Sequence, residues 1–544
     1  MTDGPRGAAT IPEPADFVIV GGGTAGCVLA NRLSANPANR VVLIEAGEQA
    51  RSPWTVIPAG FYKLLTNPRF NWMFTSDPET GTMDRPIAIP RGKGLGGSTL
   101  INGMIYVRGQ RLDYDGWAQR GCTGWSFDDV APLFRRVESY ADADPDGLRG
   151  RDGPLPVTEV AERPQIGEAF LAAASSAGHS LNPDYNGREQ EGFGYYQVNQ
   201  RDGRRVSAAA AYLDPVRRRP NLRIETSARV RRILVEDGRA TGVTVARDGR
   251  PDETIAAARE VVLCAGAVQT PHLLELSGIG DAARLADLGI APVRDLPQVG
   301  ENYSDHFCTR LNWRVSRPET LNELGRGLPL VREVIRYGLG RRGILTFGTG
   351  LAYGFIRTRE DLAGPDIQFF FMHASYANAA ERKLESEPGM TLGVTQLRPQ
   401  SRGSIHARSP RLEDQPAIRP NFLDAAEDRM TMIAGMREGR RIVEQPPLDG
   451  WRVAEMSPGP NCDSDDDWLR FARSNGQTIY HAAGTCRMGT DPDAVVDPRL
   501  RVNGVAGLRV VDASIMPTQV SGNIQAAVFM IAEKGADMIL DRDG

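Results

Sequence analysis

The chain has 544 residues, of which 41% are apolar and 24% charged, and its formal net charge is −4 at pH 7. These values are ordinary for a globular protein with two large layers, and the lack of a Lys/Arg-rich block argues against nucleic acid as a partner. The six cysteines form no CxxC pair and no zinc-like spacing, so we predict free thiols in a reducing compartment and no metal site. We find no signal-peptide core and no apolar run of transmembrane length, and therefore predict a cytoplasmic protein without a membrane span.

The first predicted elements are a strand, a glycine turn, a helix and a second strand. An apolar run at 16–20 leads into the sequence GGGTAG, a helical apolar face follows over 25–33, and a second apolar run covers 41–44. This order and spacing are typical of one βαβ unit.

The next part of the chain carries fewer regular patterns. Residues 67–107 are loop-like, and the polar stretch 140–205, rich in Gly, Asp and Arg, is predicted to be irregular. Residues 221–250 alternate between apolar and polar around the turn Asp237-Gly238, which predicts a hairpin.

Further elements are predicted towards the carboxyl terminus. A buried strand enters a glycine turn at 260–267, a strand is indicated at 367–372, and a helix at 428–443. The last segment predicts a strand at 508–512 and a helix at 525–540. Because glycine motifs lie near both ends and in the middle, we predict a cofactor domain assembled from separated stretches, with a second domain inserted.

The N-terminal glycine turn has the pattern of a dinucleotide site. Gly21, Gly23 and Gly26 form GxGxxG between a strand and a helix, where they allow a tight turn, close approach of a pyrophosphate and close packing of the helix. The helix N-terminus attracts phosphate, and Glu45, at the end of the second strand, suits a ribose hydroxyl. The motif does not separate FAD from NAD, although the acid argues against NADP. The candidate contacts are Gly21, Gly23, Thr24, Ala25, Gly26, Glu45 and Ala46.

Further blocks carry a family resemblance. They are GKGLGGSTLIN (92–102), GAVQTPHLLELSGIG (266–280), VGENYSDH (299–306), YHAAGTCRMG (480–489) and a closing run that contains VVDASIMP and SGN. In this order they resemble the signatures of the glucose–methanol–choline (GMC) oxidoreductases. The resemblance implies an alcohol oxidoreductase that takes a hydride from a CH–OH group onto FAD.

The resemblance also implies the architecture. The fold class is expected to be α/β (α+β overall), a Rossmann-like FAD-binding domain with an inserted substrate domain built on an antiparallel sheet. The predicted FAD-binding domain is discontinuous, with residues 15–158, 203–305 and 470–544, and the substrate domain has residues 159–202 and 306–469.

By similarity to the family, a second set of residues contacts FAD. Glycines and main-chain donors would lie along the flavin and the pyrophosphate, Val230 would meet the adenine, and the end of the last strand would contact the ribityl chain. Ile101 stands where some members bond the flavin covalently through a histidine, so we predict non-covalent FAD. The implied contacts are Gly96, Gly97, Asn102, Gly103, Met104, Ile105, Val230, Asp512, Ala513 and Asn523.

The resemblance implies a catalytic pair. His481 occupies the place of the family's active-site histidine, and Asn523 matches the second member, which is His or Asn in the family. A histidine suits a general base, whereas an amide cannot take a proton at pH 7, so Asn523 would orient the substrate oxygen. Asn523 also precedes an apolar helix whose N-terminus would stabilise reduced flavin. His306 lies in a family block, and we interpret it as structural, near the edge of the FAD domain.

Other functions of this fold are also considered. Photodecarboxylases carry a cysteine at the position of Leu397 and lack the histidine at 481, which argues against them, and hydroxynitrile lyases keep FAD without redox turnover. A non-enzymatic flavoprotein is disfavoured by His481 and Asn523, and a nicotinamide dehydrogenase would not need the glycine cluster at 92–97.

The substrate is predicted from aromatic residues near the motifs. They favour a primary alcohol of aromatic or furanic type, and choline-like, sugar or aliphatic alcohols with a non-oxygen acceptor are the alternative. Whether oxygen or another acceptor takes the electrons, and the oligomeric state, stay open. The candidate pocket residues are Phe347, Tyr353, Phe370, Phe371, His373 and Tyr480.

Overall fold

The computed structural model describes residues 14–378 and 383–541, and its first layer is a seven-stranded sheet. Phe17, Val18 and Ile19 are fully buried, as expected of a parallel strand covered on both faces. The sheet confirms the predicted Rossmann-like architecture. Its parallel strands, in spatial order, are Leu222–Glu225, Val41–Ile44, Ala15–Val20, Glu253–Leu263 and Leu508–Val510.

The predicted βαβ unit is confirmed, with its helix at Thr24–Leu33. This helix packs against the C-terminal helix Gln525–Ile539. An ion pair joins the two helices, with 2.7 Å between Arg32 Nη2 and Glu533 Oε1, and the Glu533 side chain is fully buried. The two ends of the chain are therefore held together beside the first sheet.

The hairpin predicted over 221–250 is shorter than expected. Arg229–Glu236 pairs antiparallel with Arg239–Ala246 around Asp237 and Gly238, both of which have positive φ, as a two-residue type I′ turn requires. Leu222–Glu225 is instead a separate strand that pairs in parallel with Val41–Ile44. The prediction was wrong there because alternation alone does not identify the partner strand.

The second layer is another seven-stranded sheet, in which all described pairings are antiparallel. This agrees with the sheet expected for a substrate domain. Gln477–Thr478 pairs with Phe307–Val315 beside the main path of the sheet. The other strands, in spatial order, are Arg452–Ser457, Phe307–Val315, Gly389–Gln396, Ile367–Met372, Ala352–Ile356 and Gly192–Tyr195.

The helix Ala426–Val443 packs on this second sheet. Its start is two residues before the predicted one. Gly435 and Gly439 face the sheet, and a Cβ on Gly435 would lie 2.7 Å from Ile367 Cδ1. Glycine therefore sets the short distance between helix and sheet.

The region 140–205 was wrongly predicted to be irregular, since it contains the strands Leu155–Glu159 and Gly192–Tyr195 and the helix Gln165–Ser176. Some of its charged side chains are buried in ion pairs. The buried Arg149 pairs with Glu138 at 2.9 Å and with Asp184 at 2.8 Å. Part of the polar composition here therefore belongs to a buried ion cluster rather than to solvated loops.

Each sheet has its own hydrophobic core, while the domain limits given above remain a prediction. No helix in the described ranges is long and apolar enough to cross a membrane. The remaining helices of six or more residues are Arg111–Gln119, Phe127–Val137, Gly266–Leu276, Ala282–Asp287, Gly327–Gly340 and Asp465–Asn475.

Candidate active site

A cavity of about 310 Å³ lies between the two sheets. From the first sheet it is lined by Val20, Ile44 and Cys264, at the carboxyl ends of parallel strands. From the second sheet it is lined by Phe370 and Thr391, among others. Ligands of open parallel sheets bind at this edge, so the cavity is where the predicted dinucleotide site belongs.

The three glycines of the first turn have different surroundings. Gly21 has φ +105°, and a Cβ there would lie 2.5 Å from the carbonyl oxygen of Cys264. A Cβ on Gly26 would lie 1.9 Å from the Gly21 oxygen, so this glycine serves helix–strand packing. Gly23 lines the cavity, and its Cβ would meet no protein atom closer than 3.9 Å. Of these three glycines, only Gly23 could carry a side chain that enters the cavity without a clash. Thr24 and Ala25 also line the wall.

The second glycine cluster packs against the first. The Gly96 N–H donates to the Gly22 carbonyl at 2.7 Å, and a Cβ on Gly97 would lie 2.7 Å from the Cα of Gly23. Gly97 lines the cavity, whereas Gly96 and Gly26 support the wall from behind. The predicted residues Asn102, Gly103, Met104 and Ile105 continue the lining.

Glu45 joins these two glycine segments. One carboxylate oxygen accepts the Gly22 N–H at 2.8 Å, and the other accepts the N–H groups of Gly47 and Gly94 at 2.7 and 3.0 Å. Burial raises the pKa of Glu45, although the three N–H donors favour its charged form. Glu45 lines the cavity, as does Ala46, but most of its hydrogen bonding holds the loops, an organising role that the sequence did not reveal.

Asp512 has a similar anchoring role at the end of the last strand. One oxygen accepts from the Gly266 N–H at 2.8 Å and from the Thr270 hydroxyl at 2.7 Å, and the other accepts from the backbone and the hydroxyl of Ser514. Burial raises its pKa. Asp512 thus ties the last strand to the start of the helix Gly266–Leu276. The cavity wall includes it together with Ala513 and Val230.

Arg205 is a functional candidate that the sequence reasoning missed. Its guanidinium donates to the side-chain oxygen of Asn102 at 2.6 Å and to the Asn102 carbonyl at 2.7 Å. Burial lowers the pKa of Arg205 to about 9. Asn102 also donates to Gln525, at the start of the C-terminal helix. Only the long-range packing of 205 against 102 reveals this contact, since no local motif marks Arg205.

His481 and Asn523 meet at the cavity. The Nδ2 of Asn523 lies 3.2 Å from the Nε2 of His481, and both residues line the wall. The Oδ1 of Asn523 accepts from Gln368 Nε2 at 3.3 Å. The backbone of His481 is held by Asp305, which accepts its N–H at 2.8 Å, and by Gln519, which donates to its carbonyl at 2.8 Å.

His306 contacts His481, a contact that the interpretation of His306 as a structural residue near the edge of the FAD domain did not include. The two Nδ1 atoms are 2.9 Å apart, and His306 Nε2 lies 3.0 Å from the carbonyl oxygen of Leu397. The contact arises because the strand Phe307–Val315 pairs with Gln477–Thr478. The sequence contained both histidines in family blocks but no signal for this strand pairing.

Burial controls the protonation of His306, His481 and Asp305. It lowers the pKa of His306 to about 4 and, with the nearby His306 and Arg91, holds the pKa of His481 well below its usual range. Burial raises the pKa of Asp305, while hydrogen bonds that include those from Thr478 and Tyr303 favour its charged form. Both imidazoles are therefore neutral at pH 7.

Most of the predicted substrate-pocket residues lie outside the described cavity wall. Along Ile367–Met372 the side chains alternate, so Phe370 and Met372 reach the cavity while Phe371 stacks on Phe170 with ring centroids 4.2 Å apart. Tyr353 is fully buried and donates its hydroxyl to the Asn182 carbonyl. The residues that do line this part of the cavity include Cys308, Phe370, Met372, Tyr376, Ile479 and Tyr480.

Phe347 and His373 form a separate aromatic pair. Their rings meet edge to face with centroids 4.9 Å apart, and both residues are buried. Burial lowers the pKa of His373 to about 4. Of the predicted pocket residues, only Tyr480 and Phe370 line the described cavity, and Phe347, Tyr353, Phe371 and His373 pack outside it.

The cavity has the features that an extended dinucleotide needs. It runs continuously from Gly23 and Val230 past Asp512 to His481. Its wall includes the first residues of the helices Thr24–Leu33, Gly266–Leu276 and Gln525–Ile539, and the partial positive charge of helix N-termini suits phosphate and an anionic ring. The residues present therefore fit FAD.

Comparison with known proteins agrees with this geometry. Family models described as GMC oxidoreductase match residues 15–308 and 399–532. The chain is 42% identical to an alcohol dehydrogenase [acceptor] of Pseudomonas putida (96% of this chain, 95% of the relative) and 41% identical to an oxygen-dependent choline dehydrogenase of Ectopseudomonas mendocina (97% and 94%). The crystal structure of pyridoxine 4-oxidase from Mesorbium loti superimposes with a TM-score of 0.87 at 34% identity (97% and 99%).

These matches cover both sheets and the cavity between them. Together with the glycine turns and the fit to FAD, they identify the family of the protein. The chain belongs to the GMC oxidoreductase family, whose members bind FAD and oxidise CH–OH groups.

Proposed function

We propose that this protein oxidises a primary alcohol, with His481 as the general base and Asn523 as the residue that orients the substrate oxygen. The proposal rests on the distance of 3.2 Å between Asn523 Nδ2 and His481 Nε2, two residues that line the cavity. One hydroxyl group placed beside both atoms can donate its proton to one and accept a hydrogen bond from the other.

The hydrogen-bond chain behind His481 assigns its tautomer. The Leu397 carbonyl can only accept, so His306 carries its proton on Nε2 and leaves Nδ1 as an acceptor. His481 must then donate from Nδ1, which leaves the lone pair on Nε2, the nitrogen that lies beside Asn523. We propose that His306 is a positioning residue that keeps His481 in the basic tautomer at the right atom.

Asn523 is oriented in the same way. Because its Oδ1 accepts from Gln368, its Nδ2 faces His481 and is the group that donates to the alcohol oxygen. Bound FAD supplies the acceptor for the hydride. The protein contributes the base, the hydrogen bond to the oxygen and a wall that excludes water.

We propose non-covalent FAD held by the predicted residues. The glycine turns, with Gly23 and Gly97 on the cavity wall, suit the pyrophosphate. Asp512 and Ala513 line the same cavity. Ile101 lines the cavity and offers no nucleophile for a covalent link. Acid precipitation is expected to release the flavin into the supernatant, and yellow colour retained in the pellet would contradict this.

The cavity wall favours an uncharged, apolar or aromatic alcohol. Phe370, Met372 and Ile479 are apolar, and the basic residue Arg310 also lines the wall. Among the described lining residues the only carboxylates are Glu45 and Asp512, which are engaged with the glycine turns and the last strand. A cationic substrate such as choline would lack a counter-charge, so choline-like alcohols are the weaker candidate.

Anaerobic reduction with a panel of alcohols tests the proposal. Benzyl alcohol and hexan-1-ol are expected to bleach the flavin absorption near ~450 nm more rapidly than choline or glucose do. Mixing the reduced enzyme with oxygen then separates an oxidase, which reoxidises at once, from a dehydrogenase that needs another acceptor. If no alcohol bleaches the flavin, the assignment as an alcohol oxidoreductase fails.

A further inference from the structure

The helix Gly327–Gly340 has its polar and apolar faces reversed relative to an ordinary surface helix. Its buried residues are Glu333 and Tyr337, whereas large apolar residues point to solvent. A surface helix normally turns its apolar stripe to the core. The exposed apolar residues are Leu328, Val331, Val334, Ile335 and Leu339, and the exposed fractions of Leu328 and Leu339 are 84% and 88%.

The buried face is held by specific polar contacts, so the helix is not simply misoriented. Glu333 accepts the Ile344 N–H at 2.9 Å, and the Tyr337 hydroxyl donates to the Gly203 carbonyl at 3.0 Å. At the C-terminal end of the helix, Glu162 accepts the Gly343 N–H at 2.9 Å. These bonds fix the helix with its apolar stripe outward.

Basic residues flank this stripe. Residues 326–342 contain five arginines and one acid, although the whole chain carries a net charge of −4. Arg332 and Arg342 are exposed, and Arg336 reaches Glu162 at 2.9 Å. An apolar stripe bordered by arginine is the pattern of a helix that lies in the interface of an anionic membrane.

A second copy of the chain fits this apolar stripe less well than an anionic membrane does. A two-fold symmetric contact would place the same face against itself, so the arginines of both copies would be brought together without the acids to balance them. An anionic bilayer instead offers an apolar layer for the leucines and negative headgroups for the arginines. We propose that the helix Gly327–Gly340 docks the protein peripherally on an anionic lipid surface.

The position of the helix relates this surface to the cavity. From Gly340 the chain passes through the short helical turn Ile344–Thr346 to Thr349, which lines the cavity. Docking through this helix anchors a segment of the cavity wall at the membrane. Apolar alcohols and lipid-soluble electron acceptors are concentrated there.

Flotation of the FAD-loaded full chain with vesicles tests the proposal. The wild type is expected to float with vesicles of 70% phosphatidylcholine and 30% phosphatidylglycerol, to bind pure phosphatidylcholine far less, and to dissociate as salt rises. The double variant L328S/L339S is expected to lose binding by about tenfold or more, because it removes the two most exposed apolar side chains of this helix. R332Q/R342Q should weaken binding only to the anionic vesicles.

A matched control shows whether the loss of vesicle binding is specific to this helix. M430S/V453S removes two apolar side chains that are 54% and 60% exposed on other elements, and it should float like the wild type. Unchanged melting temperature and flavin content would show that L328S/L339S folds. The proposal is overturned if the wild type stays off the anionic vesicles, or if L328S/L339S floats as well as the control. It is also overturned if sedimentation shows that the stripe forms a dimer instead.

Discussion

At the scale of single residues, the chain of hydrogen bonds from Leu397 through His306 to His481 gives the two nitrogens of His481 different tasks. Nδ1 donates to a neighbour that can only accept, and Nε2 is left as the acceptor on the cavity wall. Burial keeps both rings neutral. In the proposed mechanism the chemistry therefore depends on a residue, His306, that does not itself line the cavity.

Replacing the base is expected to slow turnover and leave the cofactor bound. His481→Ala should lower kcat by about 10²–10⁴-fold, the usual contribution of a general base. The flavin spectrum and content should stay normal, as measured by absorption after gel filtration. In the wild type, a base whose pKa is depressed works above that pKa, so kcat/KM should stay flat from pH 8 to below pH 6.5. Near-wild-type turnover in the variant would remove His481 from the role of base.

Replacing His306 tests the positioning role. His306→Phe removes the acceptor for His481 Nδ1, so either tautomer of His481 becomes available and kcat should fall by about 10-fold or more. His306→Gln keeps a side-chain acceptor and should recover part of the loss. The readout that separates positioning from packing is the pH profile: the acid limb of kcat/KM should move in His306→Phe. Equal activity of both variants, with an unmoved profile, would show that His306 only fills space.

At the scale of elements, strand order explains both the success and the failure of the sequence analysis. GxGxxG and Glu45 lie within one βαβ unit, so local spacing was enough to predict the nucleotide end of the cavity. The contact between His306 and His481 joins residues 175 positions apart and depends on a strand pairing that no local pattern encodes. Phe371 was misassigned because alternation along its strand was not combined with knowledge of which face meets the cavity.

Two glycines in helices give opposite expectations for the same substitution. Gly435→Ala would place a Cβ 2.7 Å from Ile367 Cδ1, and the overpacking should lower the free energy of unfolding by about 1 kcal/mol or more. Gly338→Ala meets nothing within 4 Å and should raise it by about 0.5–1 kcal/mol, because alanine loses less backbone entropy in a helix. Urea unfolding of the two variants checks both signs. A stabilised Gly435→Ala would mean that the helix can move away from its sheet.

At the scale of the whole molecule, the cavity lies between two sheets that each have their own core. The family blocks predicted this two-layer organisation and the FAD end of the site. The substrate end could not be predicted equally well, because Cys308, Met372, Tyr376 and Ile479 come from separate segments that only the second sheet brings together. Its wall depends on non-local pairing rather than on a motif.

FAD should therefore stabilise the molecule as a whole. Free FAD at a hundred times its Kd is expected to stabilise the native state by about 2.7 kcal/mol, seen as a higher Tm than that of the apoprotein. Gly23→Ala projects a methyl group into the cavity without touching protein atoms. It should therefore weaken FAD binding and reduce the rise in Tm that FAD causes. The matched control is Gly116→Ala, where a Cβ also meets nothing within 4 Å. Alanine in the helix Arg111–Gln119 should raise the Tm of the apoprotein, but the further rise in Tm caused by FAD should equal that of the wild type. Equal Tm values with and without FAD would contradict a cofactor shared by both layers.

The carbonyl of Leu397 closes the hydrogen-bond chain behind His481. A carbonyl cannot take up the proton that His481 gains, and His306, with its pKa near 4, is a poor place to store it. No relay leads inward from the base along this chain, so the proton has to leave by the cavity that the product also uses. At the end of each catalytic cycle the aldehyde and the proton would then leave through the same cavity. Slow release of the aldehyde would therefore delay the deprotonation of His481.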